Sequence, residues 1–153
     1  MDGGSLLYRI PWSPKATYKE VYTAYETYVK NKYGIALIVF DDGYDGGAST
    51  KDEVHKKRAS HSSVRSAFEP NMKITLKKDV LLSNLSNRQR FVDQLCEHFA
   101  NSRVETIKAD GDADKLIVCS ALDIARTELN VLVGDDTDLL VLLLHYYTIA
   151  KFC

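Results

Sequence analysis

No apolar run in this chain approaches the ~18–20 residues that a membrane-spanning helix needs, and no h-region follows Met1. Neither membrane spanning nor secretion is indicated. Cysteine is scarce: Cys96, Cys119 and Cys153 are three, an odd number, among 153 residues. That excludes a disulfide-stapled scaffold and reads as reduced thiols in an intracellular protein, nuclear or cytoplasmic. Neither sign of charge dominates, with 20 Lys and Arg against 21 Asp and Glu. Whole-molecule electrostatics therefore neither favour nor exclude nucleic acid, and local patches must decide. No two histidines stand at the spacing of zinc ligands on a helix; His55 and His61 are six apart. Repeats and low-complexity tracts are absent. At 45% hydrophobic and 27% charged residues, the composition is that of one folded domain, residues 1–153, large enough to bury a core.

What is present is aspartate in pairs at the ends of apolar runs. Val131-Leu132-Val133 reads as a buried strand and breaks at Gly134 into Asp135, Asp136 and Asp138, after which Leu139–Leu144 resume a helical apolar pattern. Two other strand-to-loop junctions repeat the arrangement. Asp41 and Asp42 follow Ile35–Phe40, and Asp112 and Asp114 follow Val104–Ile107. Asp2 is a further candidate. If the strands are parallel, all these acids fall at the carboxyl edge of one sheet, where open α/β folds bind ligands. A capping role at a helix N-terminus accounts for any single aspartate. It accounts less well for several Asp-x-Asp pairs on one edge, because one cap satisfies one position. Clustered carboxylates suit Mg²⁺ or Mn²⁺, and two such ions about 4 Å apart would promote phosphodiester hydrolysis.

The remaining pattern alternates helix and strand. Tyr18–Tyr33 has helical apolar spacing, with Gly34 as its stop, and its tyrosines read as a core face more readily than as a stacking platform. Asp41–Ala48 is a glycine-rich acidic loop. Lys51–Arg65 is charged almost throughout and would make a poorly buried helix. Met72–Leu76 is a candidate short strand, and Ser86-Asn87-Arg88-Gln89 matches a capping box opening a helix through Phe91, Leu95 and Phe99. A helix carries Leu116, Ile117, Cys119, Ala121 and Ile124; the last helix runs from after Asp138 to about Tyr147; Thr148–Cys153 reads as the start of another strand. His98 and His145 read as surface or satisfied core residues. Such alternation predicts a parallel sheet covered on both faces.

The acids and their order resemble the PIN-like nuclease superfamily, in its flap-endonuclease branch, and most closely uncharacterised animal open reading frames of that type. Asp2-Gly3-Gly4-Ser5-Leu6-Leu7-Tyr8-Arg9 resembles the first aspartate motif. Ile38-Val39-Phe40-Asp41-Asp42-Gly43, followed by Lys51 and His55-Lys56-Lys57-Arg58, resembles the second aspartate and its basic helix. Asp112-Ala113-Asp114 resembles the internal acidic motif, where glutamate is commoner, and Asp136-Thr137-Asp138 the next pair. The resemblance spans nearly the whole chain. It implies a three-layer fold, a mainly parallel twisted sheet flanked by helices, here without the family's N-terminal strand and C-terminal elements. It also implies a metal-dependent nuclease acting on DNA or RNA, with catalytic Asp112, Asp114, Asp136 and Asp138. Asp2 and Asp41 or Asp42 would complete a site for Mg or Mn, with two ions.

Lys51, Lys56, Lys57, Arg58 and Arg65, with Lys73, Lys77 and Lys78, form the main positive tract. A solvated helix face explains them as well as phosphate binding does. Lys51, Lys56, Lys57 and Arg58 are the nucleic-acid-binding candidates, with Lys51 and Arg58 steering the phosphate. Two rival readings remain. One is a catalytically inactive PIN-like remnant that binds nucleic acid or protein through the same groove. The other is a haloacid-dehalogenase-type phosphohydrolase, because Gly134-Asp135-Asp136 and Phe40-Asp41-Asp42-Gly43 loosely resemble two of that family's motifs.

Overall fold

The computed structural model describes residues 1–41 and 66–152, with the side chains of these up to Thr148. The helix expected at Tyr18–Tyr33 forms over that range and is called α2; a shorter helix, α1, precedes it at Gly3–Arg9. Thr17 and Glu20 close a reciprocal capping box at the start of α2. At its end Gly34 takes a φ of +70°, which an L side chain rarely adopts, and donates to the Lys30 carbonyl. Tyr18, Val21, Tyr22, Tyr25 and Val29 are buried, so the tyrosine stripe is a core face. The buried phenols keep partners: Tyr25 donates to the Leu7 carbonyl at 2.5 Å and Tyr22 to Gln94 Oε1 at 2.7 Å. Burial raises the proton affinity of both phenols well above the usual range.

β1, Leu37–Asp41, pairs in parallel with β2, Glu105–Ala109, in the register Leu37 with Glu105 through Asp41 with Ala109. On the other side of β1 lie Met1 and Asp2. Val39 donates its amide to the Met1 carbonyl at 3.0 Å, Asp2 forms a parallel bridge with Val39, and the Asp2 amide donates to the Val133 carbonyl at 2.8 Å. Across the hydrogen bonds the order is therefore β2, β1, Met1–Asp2, Val133. As expected, no strand precedes α1 among the described residues; Asp2 is held instead by this isolated bridge and its single backbone bond to Val133. Val131–Val133, expected as a buried strand, contributes only this one bond, and Val131 is 79% exposed.

Alternation along β1 divides the core. Ile38 and Phe40 enter a large cluster with α1, α2, α3 (Lys78–Ser83) and α4 (Leu85–Asn101). Val39 enters a smaller one with Ala109, Ile117, Val118 and Leu139, from β2, α5 (Ala113–Ile124) and α6 (Thr137–Phe152). The architecture is a mixed α/β fold with a parallel sheet flanked by helices. Among the described residues no helix is long and apolar enough to cross a membrane.

Local chemistry explains the other departures. Asn84, not Ser86, caps α4, its side chain accepting from the Asn87 amide; Asn87 is itself buried and its side chain accepts from the Ser66 amide at 2.9 Å. Met72–Leu76 makes an isolated antiparallel bridge, Lys73 with Thr17, rather than a strand. The expected terminal strand at Thr148–Cys153 is also corrected, because α6 continues through Phe152. No glycine or proline interrupts the chain from Thr137 to Phe152, so nothing in that stretch ends the helix. α6 leaves Leu140, Val141, Leu144 and Tyr147 more than half exposed. The predicted loop at Asp41–Ala48 lies outside the described residues except for Asp41, and the basic helix at Lys51–Arg65 lies wholly outside them.

Gly3 marks the tightest contact between α1 and the sheet: a Cβ there would sit 2.3 Å from Phe40 Cδ1. Gly3→Ala is expected to destabilise the fold by about 1–3 kcal/mol through overpacking. Gly111→Ala, where a Cβ meets open space, should change little. Urea unfolding of both variants checks this, and equal midpoints would refute the close-approach argument.

Candidate functional site

The aspartates of interest come from several elements. Asp2 follows its bridge to Val39 by capping α1, accepting from the Gly4 amide at 2.8 Å and the Ser5 amide at 3.0 Å. Asp41 is the exposed last residue of β1 and stands in register with Ala109, the last of β2. Asp112 follows β2 and caps α5, accepting from the Lys115 amide at 3.2 Å, and Asp114 lies in the first turn of that helix. Asp136 accepts from the Asp138 amide at 3.0 Å in the turn that opens α6. The capping chemistry considered for isolated aspartates is thus real for Asp2 and Asp112.

Capping does not describe their surroundings fully, because the charges of several of them reach Asp114. Asp114 holds its proton more tightly than an ordinary carboxylate. Partial burial is the first cause, followed by the negative charges of Asp112, Asp136, Asp2 and Asp138. Three chain segments, at residues 2, 112–114 and 136–138, therefore contribute to one electrostatic cluster. The first of these segments is joined to the chain leading into the last by the Asp2 amide, which donates to the Val133 carbonyl.

Asp135, between the two halves of the expected motif, has another role. Its carboxylate accepts from Ser5 Oγ and from the Arg9 guanidinium, and Arg9 Nε donates to Ser5 Oγ at 3.1 Å. This clamp ties α1 to the loop that carries Asp136. Sequence reasoning missed it because Arg9 and Asp135 are 126 residues apart; the one local hint is the i,i+4 spacing of Ser5 and Arg9 on a short helix.

Of the basic candidates, Lys51, Lys56, Lys57, Arg58 and Arg65 lie outside the described residues, as does Asp42. Lys78 is structural. Its ammonium donates to the Tyr8 and Ile10 carbonyls at 2.9 and 3.0 Å, closing the end of α1. His98 meets Glu26 at 2.8 Å between α4 and α2, which satisfies it.

The donor set at the edge is all carboxylate oxygen, the chemistry that hard divalent cations select. Among the described residues no three Asp, Glu, His or Cys side chains close on one point as a ready cage. Mg²⁺ does not require one, since it commonly binds through one or two carboxylates with water and substrate phosphate. On donor chemistry the residues fit such an ion.

Crowding at Asp114 carries a stability cost with a defined sign. Its folded-state proton affinity is raised, so its favourable contribution is present in acid and is lost as pH rises through the folded value. Asp114→Asn should therefore stabilise the metal-free protein near neutral pH by about 0.5 kcal/mol, a modest gain because solvent screens the cluster. The gain should shrink as pH falls toward the carboxylate range. Thermal unfolding against pH tests this, and a destabilised Asp114→Asn at pH 7 would contradict the electrostatic account.

Compared with models of protein families, with curated proteins and with solved structures, the chain matches none. Its functional reading consequently rests on the chemistry of the acidic edge.

Proposed function

We propose that the chain is an Mg²⁺- or Mn²⁺-dependent nuclease domain with a PIN-like three-layer architecture, hydrolysing phosphodiester bonds of DNA or RNA at the carboxyl edge of its sheet. What supports this reading is that Asp2, Asp112 and Asp136, each at the start of a helix, come from three separate segments, and that Asp114 beside them holds its proton more tightly, first through burial and then through the charges of Asp112, Asp136, Asp2 and Asp138. An edge that concentrates negative charge against its own stability is the kind of strained arrangement that functional sites retain.

Asp112, Asp114, Asp136 and Asp138 would hold the ion, directly or through water, with Asp2 and Asp41 or Asp42 around them. A bound ion would offset the charge of the phosphate and lower the pKa of an attacking water. The chain's own groups do the positioning. The Asp112 cap fixes its carboxylate at the start of α5, one helical turn ahead of the rest of that face. The Asp136 turn sets the entry of α6, and the Ser5–Arg9 clamp on Asp135 fixes the loop between them. Lys51 and Arg58 are the proposed phosphate-steering groups.

Cleavage of labelled single-stranded and branched substrates should require added Mg²⁺ or Mn²⁺. Asp112→Asn with Asp136→Asn should lower the rate on the order of 10²–10³-fold, the share expected of a metal-assisted step. Turnover that persists in chelator, or in the double variant, would sink the nuclease reading. A second reading, an inactive remnant that binds nucleic acid or protein in the same groove, draws on the lack of three converging carboxylates among the described residues. A salt-sensitive gel shift indifferent to chelator, without cleavage, would select it.

A further inference from the structure

The end of α2 carries a cluster that the acidic edge does not use. Tyr28 and Tyr33 are half-buried, their rings 6.1 Å apart and crossed at 78°. The exposed Lys32 ammonium lies 5.4 Å and 5.6 Å from the two ring centroids and donates to the Tyr28 hydroxyl at 3.2 Å. Lys32 has no acidic partner among the described ion pairs, whereas its neighbour Lys30 is neutralised by Glu26 at 2.7 Å. Arg9 approaches from α1: the Tyr28 hydroxyl is the first contributor to its strengthened charge, with Asp135 a lesser one. Tyr33, Lys32 and Arg9, in that order, in turn hold the Tyr28 phenol below the usual range.

The balance of donors and acceptors is uneven. An ammonium has three donors, a guanidinium five and a phenol one, while a hydroxyl oxygen accepts at most two. Around Tyr28 the acceptors are its own oxygen, the Tyr33 hydroxyl and, through Arg9, Ser5 and Asp135. The surplus is positive charge and N–H groups beside two aromatic rings. Phosphate oxygens supply acceptors and charge together, and unpaired bases offer faces for the rings.

We propose that Arg9, Tyr28, Lys32 and Tyr33 form a docking patch for single-stranded nucleic acid, its phosphate held by Lys32 with Arg9 and a base placed against Tyr33. The inference rests on the nucleic-acid reading above and deepens it. Through Arg9 the patch shares a residue with the clamp on Asp135, so a strand bound there continues toward the acidic edge. Asp135 and the phosphate compete for the same guanidinium, which couples the patch to the loop that carries Asp136.

The experiment is fluorescence anisotropy of a labelled oligo-dT at low salt, in chelator so that binding is separated from cleavage. Lys32→Glu should weaken binding about tenfold and reduce the salt slope by about 1. Lys19→Glu, the same charge change on an exposed residue at the other end of α2, should change it less than about twofold, since screening localises the effect. Tyr33→Ala should cost about fivefold or more if a base stacks there. Tyr28→Phe, which keeps the ring and its packing, should weaken binding measurably. Equal effects of Lys32→Glu and Lys19→Glu would overturn the patch. So would an oligo-dT that does not bind the wild-type chain, or preference for duplex with Tyr33→Ala silent. Lys32-dependent binding with no metal-dependent cleavage would leave the patch standing and remove the nuclease. Cleavage with Lys32-independent binding would do the reverse.

Discussion

Between β1 and Val133 the chain places only Met1 and Asp2, and the backbone bonds of these two residues join the sheet across that gap. Val39 donates to one and Val133 accepts from the other, so the loop leading into α6 is registered against β1 through a splice two residues long. α1 begins at the next residue and must turn at once onto Phe40, which is why a glycine stands there. Asp2 therefore serves as ladder donor, helix cap and member of the acidic cluster. At this one position fold and site are inseparable. A loss of activity on changing Asp2 would not distinguish the two, whereas Asp112 and Asp136 sit at helix starts where the sheet does not depend on them.

The energetics of the edge are a contest between fields of opposite sign. α1, α5 and α6 all begin there, and helix N-termini favour negative charge. Amides of Gly4, Ser5, Lys115 and Asp138 each donate to an aspartate. Against this stand the partial burial of Asp114 and, after it, the negative charges of Asp112, Asp136, Asp2 and Asp138. The fold answers this charge at one acid by placing Arg9 on Asp135. No equivalent cation is recorded for Asp112, Asp114, Asp136 or Asp138 among the described ion pairs. A divalent cation bound there would offset this charge, and by linkage it would stabilise the fold increasingly, as the logarithm of its concentration once that exceeds the dissociation constant.

Much of the fold was legible because periodicity and caps are local. α2, its glycine stop, the strand at β1 and the helix through Phe91, Leu95 and Phe99 follow from spacing and burial. The expectation that Asp112, Asp114, Asp136 and Asp138 share one edge came from the same alternation. What local reasoning missed was long-range or too short to carry a period. Met1–Asp2 is held only through single backbone bonds to its two neighbours. α1 and α3 are seven and six residues long, below the length at which an apolar stripe repeats. The Val131–Val133 strand failed for a tertiary reason, since apolar residues with a partner on one side of the ladder need not pair along their length.

Capping and ligation are often treated as exclusive explanations of an aspartate at a helix start, and this edge separates them by geometry. A carboxylate offers about four lone-pair directions. Asp112 and Asp136 each lend one oxygen to an amide and, among the described residues, have no partner for the other, while Asp2 uses both oxygens. A cap also holds its carboxylate in place, which lowers the entropy lost when an ion or phosphate engages the remaining oxygen. Asp135, held at both oxygens by Ser5 and Arg9, is the acid least suited to ligation, although it sits in the middle of the densest acidic run. Sequence density alone thus ranks these acids differently from their bonding. Under the proposed reading, Asp112 and Asp136 are the better placed to ligate, Asp2 stands behind them as charge, and Asp135 anchors the loop.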